Sequence, residues 1–396
     1  MTSKPLRVLC LDIEGGYGGS SRSLFESVRH LDRSAAVVEV WCKRAGPIQD
    51  RYQALGVACR VTPAMPKVSA LPRWSRNIAV FTRFARDWLA AGGFRRNLLA
   101  ACQRFDVVHL NHEALFILGR WLKRHGQIPV TAHIRTNLVE TVFARWQCRT
   151  LADAAAQLVF ITENERASFE RHAGHAVPGT VIFNIAEPPG PDVRPDNRVP
   201  NDGRFRIASL SNFASIRGTD RLIDLAEMLA SKGRRDILFV VAGDMTLPRG
   251  LSGQIGKIAR TGGSLGDYAK ARGVADMFFF MGHVSDPEAV LVACDVLIKP
   301  TRHADPWGRD IIEALAAGKP VISVGSYDRF VEDGVTGILK PEFDASLFAR
   351  EIVRLADDRA ACQSLGAAGR DRVAGLCGGP ARAADLLALW RRVAQP

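Results

Sequence analysis

A chain of 396 residues that is 47% hydrophobic is long enough for two cores of ordinary domain size. No apolar run approaches the ~20 residues that span a bilayer, the first one meets Asp12 too early for a signal peptide, and the eight scattered cysteines form no Cys-x-x-Cys pair. A cytoplasmic protein, soluble or peripheral to the inner face of the plasma membrane, is therefore expected. The excess of 53 Lys and Arg over 41 Asp and Glu is concentrated in residues 1–200, which hold 27 against 17, and no nucleic-acid module accompanies it, so no nucleic-acid partner is expected.

Apolar runs bounded by turn residues predict strands near 6–12, 36–42, 58–62, 106–110, 129–133, 157–161 and 180–183, alternating with helical stretches. The loop Glu14-Gly15-Gly16-Tyr17-Gly18-Gly19 follows the first strand. It fails as a dinucleotide fingerprint because Ser21 stands where a third glycine belongs, which argues against a NAD enzyme; a strand-to-helix glycine turn also has a purely structural use. Between Lys67 and Arg104, Arg73, Arg76, Arg83, Arg86, Arg95 and Arg96 interleave with aromatic residues. There Trp74, Ile78, Phe81, Ala85 and Trp88 recur at helical spacing, which fits either ordinary core or a basic amphipathic helix lying on an anionic membrane through 67–104.

Proline and glycine concentrate from Pro188 to Gly203, which predicts a linker over 188–203 between an N-terminal domain, 1–187, and a C-terminal one, 204–379. Beyond it, strands are predicted near 205–211, 236–242, 277–281, 295–299, 320–324 and 336–340. The alternation implies an α/β protein with a mostly parallel sheet in each half. Two such Rossmann-like domains facing each other would leave a cleft between their strand ends.

The segment Asp305-Pro306-Trp307-Gly308-Arg309-Asp310-Ile311-Ile312-Glu313 lies between the apolar runs 296–298 and 321–323 and reads as strand, loop, helix, strand. Such a helix begins at the carboxyl end of a parallel strand. Open α/β sheets take their ligands there, and the unpaired N–H groups and dipole of the helix start favour a phosphate. Carboxylates on either side of that anion could accept hydrogen bonds from sugar hydroxyls. Asp305-Pro306 also has the form of an N-cap followed by proline at the first helical position, and Glu313 stands at ion-pair spacing from Arg309. Spacing alone leaves both alternatives open.

Residues 205–375 resemble the C-terminal domain of GT-B glycosyltransferases of the retaining family 4 type. The resemblance rests on Ile207-Ala-Ser-Leu-Ser, Arg217-Gly218, Val241-Ala-Gly243-Asp244, Phe280-Met-Gly282-His283-Val284, Lys299-Pro300-Thr301, the acids Asp305 and Glu313 eight residues apart, and Gly334-Val-Thr-Gly337, all in the family's order. In the N-terminal half the match is looser: the glycine loop, Asp106-Val-Val-His-Leu, His133-Ile-Arg135 and Asn184-Ile-Ala-Glu187. The resemblance implies that Glu313 holds the ribose diol, that Asp305, in place of the family's glutamate, holds hydroxyls of the donor sugar, and that His133 faces the donor sugar and phosphate. It also implies a donor pocket completed by Trp307, Gly308 and Arg309, and a C-terminal helix, 380–396, that crosses back to the N-terminal domain. The family's pair of diphosphate cations falls on Asn212 and Arg217, so one of the two is missing.

Transfer from a nucleoside diphosphate sugar builds negative charge on the leaving diphosphate, and something positive must wait there. With no Asp-x-Asp in the chain to hold a metal, Arg217 is the candidate cation, helped by amides near Gly308 and near Gly15 and Gly16. The nucleotide base is expected against the backbone of Gly282, His283 and Val284. The expected function is thus retaining, metal-independent transfer of a sugar from a nucleoside diphosphate sugar to a glycan or lipid-linked acceptor, as in polysaccharide biosynthesis, with no cofactor beyond the donor itself. A non-catalytic nucleotide- or glycan-binding protein and a sugar-nucleotide epimerase are the alternatives on the same architecture.

Overall fold

The computed structural model describes residues 4–68, 77–303 and 305–395. It divides into two units, the first running through Ile185 and resuming at Gly379, the second spanning Ala186–Gly378. In the first, seven strands follow in chain order: β1 (Leu6–Asp12), β2 (Ala36–Cys42), β3 (Ala58–Val61), β4 (Val107–Leu110), β5 (Val130–Ile134), β6 (Gln157–Phe160) and β7 (Gly179–Val181). They form a sheet in the order β3-β2-β1-β4-β5-β6-β7, every pair parallel. Alternation along β1 explains the two layers: Leu9 and Leu11 enter one core, Val8 and Cys10 the other. The helix Gly379–Ala394 belongs to this second core through Leu386, Leu389 and Trp390.

The second unit repeats the pattern with β8 (Phe205–Leu210), β9 (Ile237–Ala242), β10 (Phe278–Gly282), β11 (Val296–Lys299), β12 (Val321–Val324) and β13 (Gly337–Lys340). Its sheet runs β10-β9-β8-β11-β12-β13, again parallel throughout. Parallel strands covered on both faces must be apolar along their whole length, and β9, Ile-Leu-Phe-Val-Val-Ala, is buried at every position. All thirteen strands lie where the apolar runs predict them. The stretch 188–203, predicted as a linker, lies on the second unit: Val199 is buried, and the Asp196 N–H donates to the Ala289 carbonyl at 3.0 Å.

The helical aromatic stripe divides. In the helix Asn77–Ala90, Phe81 and Trp88 pack against the first unit's core while Ile78 is 68% exposed and Ala85 faces outward. Arg95 stacks on Trp88 rather than standing free. Trp74, Arg73 and Arg76 lie outside the described residues.

Candidate active site

In each sheet the chain runs outward from one central strand and then returns to its other side. In the second unit that reversal falls between β8 and β11, and the crevice at the carboxyl ends of those strands is the topological switch point where such sheets take ligands. A small recess opens there, lined by Ser209, Leu210, Ser211, Arg217, Ile298, Lys299, Pro300 and Asp310. Arg217 closes a single 3-10 turn after β8; it is exposed, and its guanidinium makes no ion pair among the described residues. Gly218 behind it has φ 69°, and a Cβ there would fall 2.0 Å from the Pro300 carbonyl oxygen, so the turn presenting Arg217 reaches β11 only with glycine at this position.

The loop after β11 is fastened to that turn. Arg221 donates to the carbonyls of Pro300 (3.1 Å) and Thr301 (2.9 Å), Arg302 forms a two-pronged ion pair with Asp220, and the Arg302 N–H donates to the Ile216 carbonyl at 2.9 Å. The buried Thr301 donates its hydroxyl to Asp305. Arg217 and Asp305 are therefore held in one corner. Asp305 is not a helix cap, because the next helix starts at Arg309 with Gly308 as its N-cap, at φ 132°. Proline at 306 ends the loop's freedom without entering the helix. Trp307 is buried edge-on against Tyr327, with ring centroids 5.4 Å apart.

Glu313 is 7% exposed, and one of its oxygens lies 2.7 Å from Arg309, whose side chain is 13% exposed. The spacing alternative is thus realised, but as a buried pair rather than a surface one. Such a carboxylate is fixed in position by its guanidinium partner. Asn212 does different work from the cation it replaces: its side-chain carbonyl accepts the Asp244 N–H at 2.9 Å, tying the ends of β8 and β9. Gly243 continues the clamp, with its N–H on the Gly282 carbonyl at 2.7 Å and a missing Cβ that would strike the Ser211 carbonyl. Gly282, at φ 66°, has open space beside it; His283 is exposed and Val284 half-buried. These three sit two strands from β8, roughly 10 Å across the sheet. Lys299, in the motif Lys299-Pro300-Thr301, also lines the recess; its signal in the sequence is a lysine closing the otherwise buried run Val296-Leu297-Ile298.

The first unit places His133 on β5, 4% exposed, with Arg135 donating to its Nδ1 at 3.1 Å. Burial, and then the neighbouring Arg135 charge, hold its pKa well below the ordinary histidine value, so the ring is neutral and carries its proton on Nε2. That Nε2 is itself buried and finds no hydrogen-bond partner among the described residues. His109, edge-on to it at 5.6 Å, accepts at Nδ1 from Thr131 (2.9 Å) and from the Trp390 indole (3.4 Å), and burial lowers its pKa to about 3. Arg135 also donates to Asn111 and Asn184, while its own N–H goes to Glu113. Gly15 serves packing: a Cβ there would meet the Arg44 carbonyl at 2.0 Å. Gly16 has open space around it.

The comparisons with known proteins agree with this geometry. Residues 194–372 match the family described as "Glycosyl transferases group 1", and residues 18–184 match the "Glycosyl transferase 4-like domain". The chain is 27% identical over 257 residues to alpha-D-kanosaminyltransferase of Streptomyces kanamyceticus, covering 61% of this chain but only 60% of that protein's length. It is 29% identical over 353 residues to phosphatidyl-myo-inositol mannosyltransferase of Mycobacterium leprae, covering 87% of this chain and 84% of that one. In fold it is similar to Anabaena HepE, solved in complex with UDP and glucose, at a TM-score of 0.74 and 16% identity over 98% of this chain and 99% of that chain. Two parallel Rossmann-like units with these matches define a glycosyltransferase of the GT-B architecture. Within that class the chain belongs to the group 1 glycosyl transferases, of the family 4 type.

Proposed function

We propose that this chain moves a hexose-type sugar from a nucleoside diphosphate sugar to a glycan or lipid-linked acceptor, with retention at the anomeric carbon and without a bound metal. The carrying observation is the switch-point recess, which Arg217, without an ion pair among the described residues, lines together with Asp310 of a helix start, while Asp305 and Glu313 are held by Thr301 and Arg309 on the same loop and helix. Negative charge growing on the departing diphosphate would be met by the guanidinium and by the N–H groups after Gly308. Glu313 would accept from the ribose diol and Asp305 from the sugar. The named relatives support the reaction class: a kanosaminyltransferase, a mannosyltransferase and D-inositol 3-phosphate glycosyltransferases. They do not favour the epimerase and non-catalytic alternatives.

A thermal-shift screen of UDP, GDP, ADP and their sugar conjugates identifies the donor, and turnover of that donor in the presence of a chelator tests metal independence. Absence of a shift with every nucleotide would sink the proposal. The anomeric configuration of the product, read by NMR, tests retention.

A membrane-facing acceptor side has its own support. Ile78, Leu89, Val139 and Val142 are 68%, 77%, 59% and 69% exposed, next to the exposed Arg83 and Arg86. No described helix is long and apolar enough to cross a membrane, so contact would be peripheral. Vesicles rich in anionic lipid should retain the protein at low salt, and failure to co-sediment would remove this part.

A further inference from the structure

We infer that Lys299 is the second diphosphate-binding cation of this chain, doing from the end of β11 what the position of Asn212 does not do. The inference rests on the donor site proposed above and names a residue within it. Lys299 closes the strand Val296–Lys299, whose other three residues are buried, and its side chain turns into the same recess that Arg217 lines. It is only 12% exposed. Nζ donates to the Trp307 carbonyl and stands 3.6 Å from the carboxylate of Asp310, the second residue of the helix Arg309–Ala316. Gly308 makes room for it, since a Cβ there would lie 3.1 Å from Nζ.

Beyond its bond to the Trp307 carbonyl and its pairing with Asp310, an ammonium is poorly suited to this place. A cation near the amino end of a helix opposes the positive end of the dipole, and a guanidinium lining the same recess adds to the repulsion. A single carboxylate answers two charges and a helix end. An oxyanion in the recess is attracted by the ammonium, the guanidinium and the helix end alike, and repelled by Asp310. An ammonium carries three donors; Trp307 engages one, and Asp310 at 3.6 Å is beyond hydrogen-bond distance, which leaves donors for a ligand oxygen. Asp310 is then the group the diphosphate displaces, so removing its charge should strengthen diphosphate binding while removing Lys299 should weaken it.

The test uses the full chain, the tightest binder among UDP, GDP and ADP, and the matching nucleoside. For Lys299→Met the inference expects diphosphate affinity to fall about tenfold or more, nucleoside affinity to hold, and Lys299→Arg to recover part of the loss. For Asp310→Asn it expects diphosphate binding to tighten. If Lys299 and Asp310 are only an ion pair fixing the helix start, both variants lose thermal stability and neither separates diphosphate from nucleoside, which overturns the inference. Should Lys299→Met fail to fold, Asp310→Asn decides alone: tighter diphosphate binding supports the assignment, and unchanged or weaker binding overturns it. Wild type that binds none of the three nucleotides overturns the donor site itself, an outcome distinct from wild type that binds while Lys299→Met binds equally well.

Discussion

The two units share a strand order and use it in opposite ways. At the carboxyl ends of its central strands the first unit buries a linked polar network: Asp12, His109 and Asn111 have no exposure, His133 has 4%, and Arg135 ties Asn111, His133, Asn184 and Glu113 together, with Asp12 Oδ2, His109 Nε2 and His133 Nε2 left without partners among the described residues. The second unit leaves a recess at the same topological position, with Arg217 outside every ion pair among the described residues and Lys299 held by one carbonyl and one carboxylate at 3.6 Å. Topology fixes where polar groups gather. Whether they lock the fold or wait for a ligand depends on how far the side chains engage one another, since a buried, cross-tied network stabilises and a cation cluster short of carboxylates is costly until an anion arrives.

That contrast is broken most strongly at Arg135. Arg135→Met strips the shared guanidinium from Asn111, His133 and Asn184 at once, and each buried acceptor left unpaired costs about 1–3 kcal/mol. Hydrogen exchange should show the loss in the first unit's strands and leave β8 to β13 protected. Arg217→Ala should do the reverse. Removing one preorganised positive partner of a developing charge costs about a hundredfold or more in kcat/KM, while an exposed arginine without ion-pair partners should leave the melting temperature within a degree or two of wild type. A turnover unchanged by Arg217→Ala would end the parallel between the recess and a working site.

Glu313 sharpens the comparison because it belongs to both regimes. Glu313→Ala should weaken donor binding about tenfold and also lower stability, since Arg309 would keep a buried charge without its carboxylate. Arg309→Ala lowers stability in the same way but keeps the acceptor for the ribose. Equal loss of donor affinity in both variants would reduce Glu313 to a structural pair.

How far these differences were legible in the sequence follows from their physical range. All thirteen strands were readable because buried parallel strands must be apolar along their length, a local property. The Asp305–Glu313 segment was readable as a site because strand, loop and helix are contiguous there. Lys299 and Asp310 were not, because their pairing depends on how the helix start turns back over the strand end, set by Gly308 at φ 132°. The role of Asn212 was invisible for the same reason: its partner, the Asp244 N–H, sits at the end of a neighbouring strand. The stretch 188–203 was composed like a linker, and only the three-dimensional contact of Asp196 with Ala289 shows where it lies.

The smallest effect expected is a pH dependence confined to the first unit. His109 and His133 are neutral when folded, with pKa values below the ordinary 6.5, about 3 for His109. Protonating His109 at Nδ1 would set a proton against the indole N–H of Trp390, a donor that cannot accept, so the folded state resists the charge. The unfolded chain does not resist it. Below pH ~6.5 the unfolded state therefore binds more protons, and stability that is complete above that pH falls as the pH drops toward about 3, by at most ~1.4 kcal/mol per pH unit per histidine. Hydrogen exchange corrected for intrinsic rates at pH 7.5, 6.5 and 5.5 should show protection of β4 and β5 declining while β8 and β11 hold. His109→Gln should flatten the decline by about half; an equal decline in both units, or no change in that variant, would mean that the buried imidazoles do not set the acid limit of this fold.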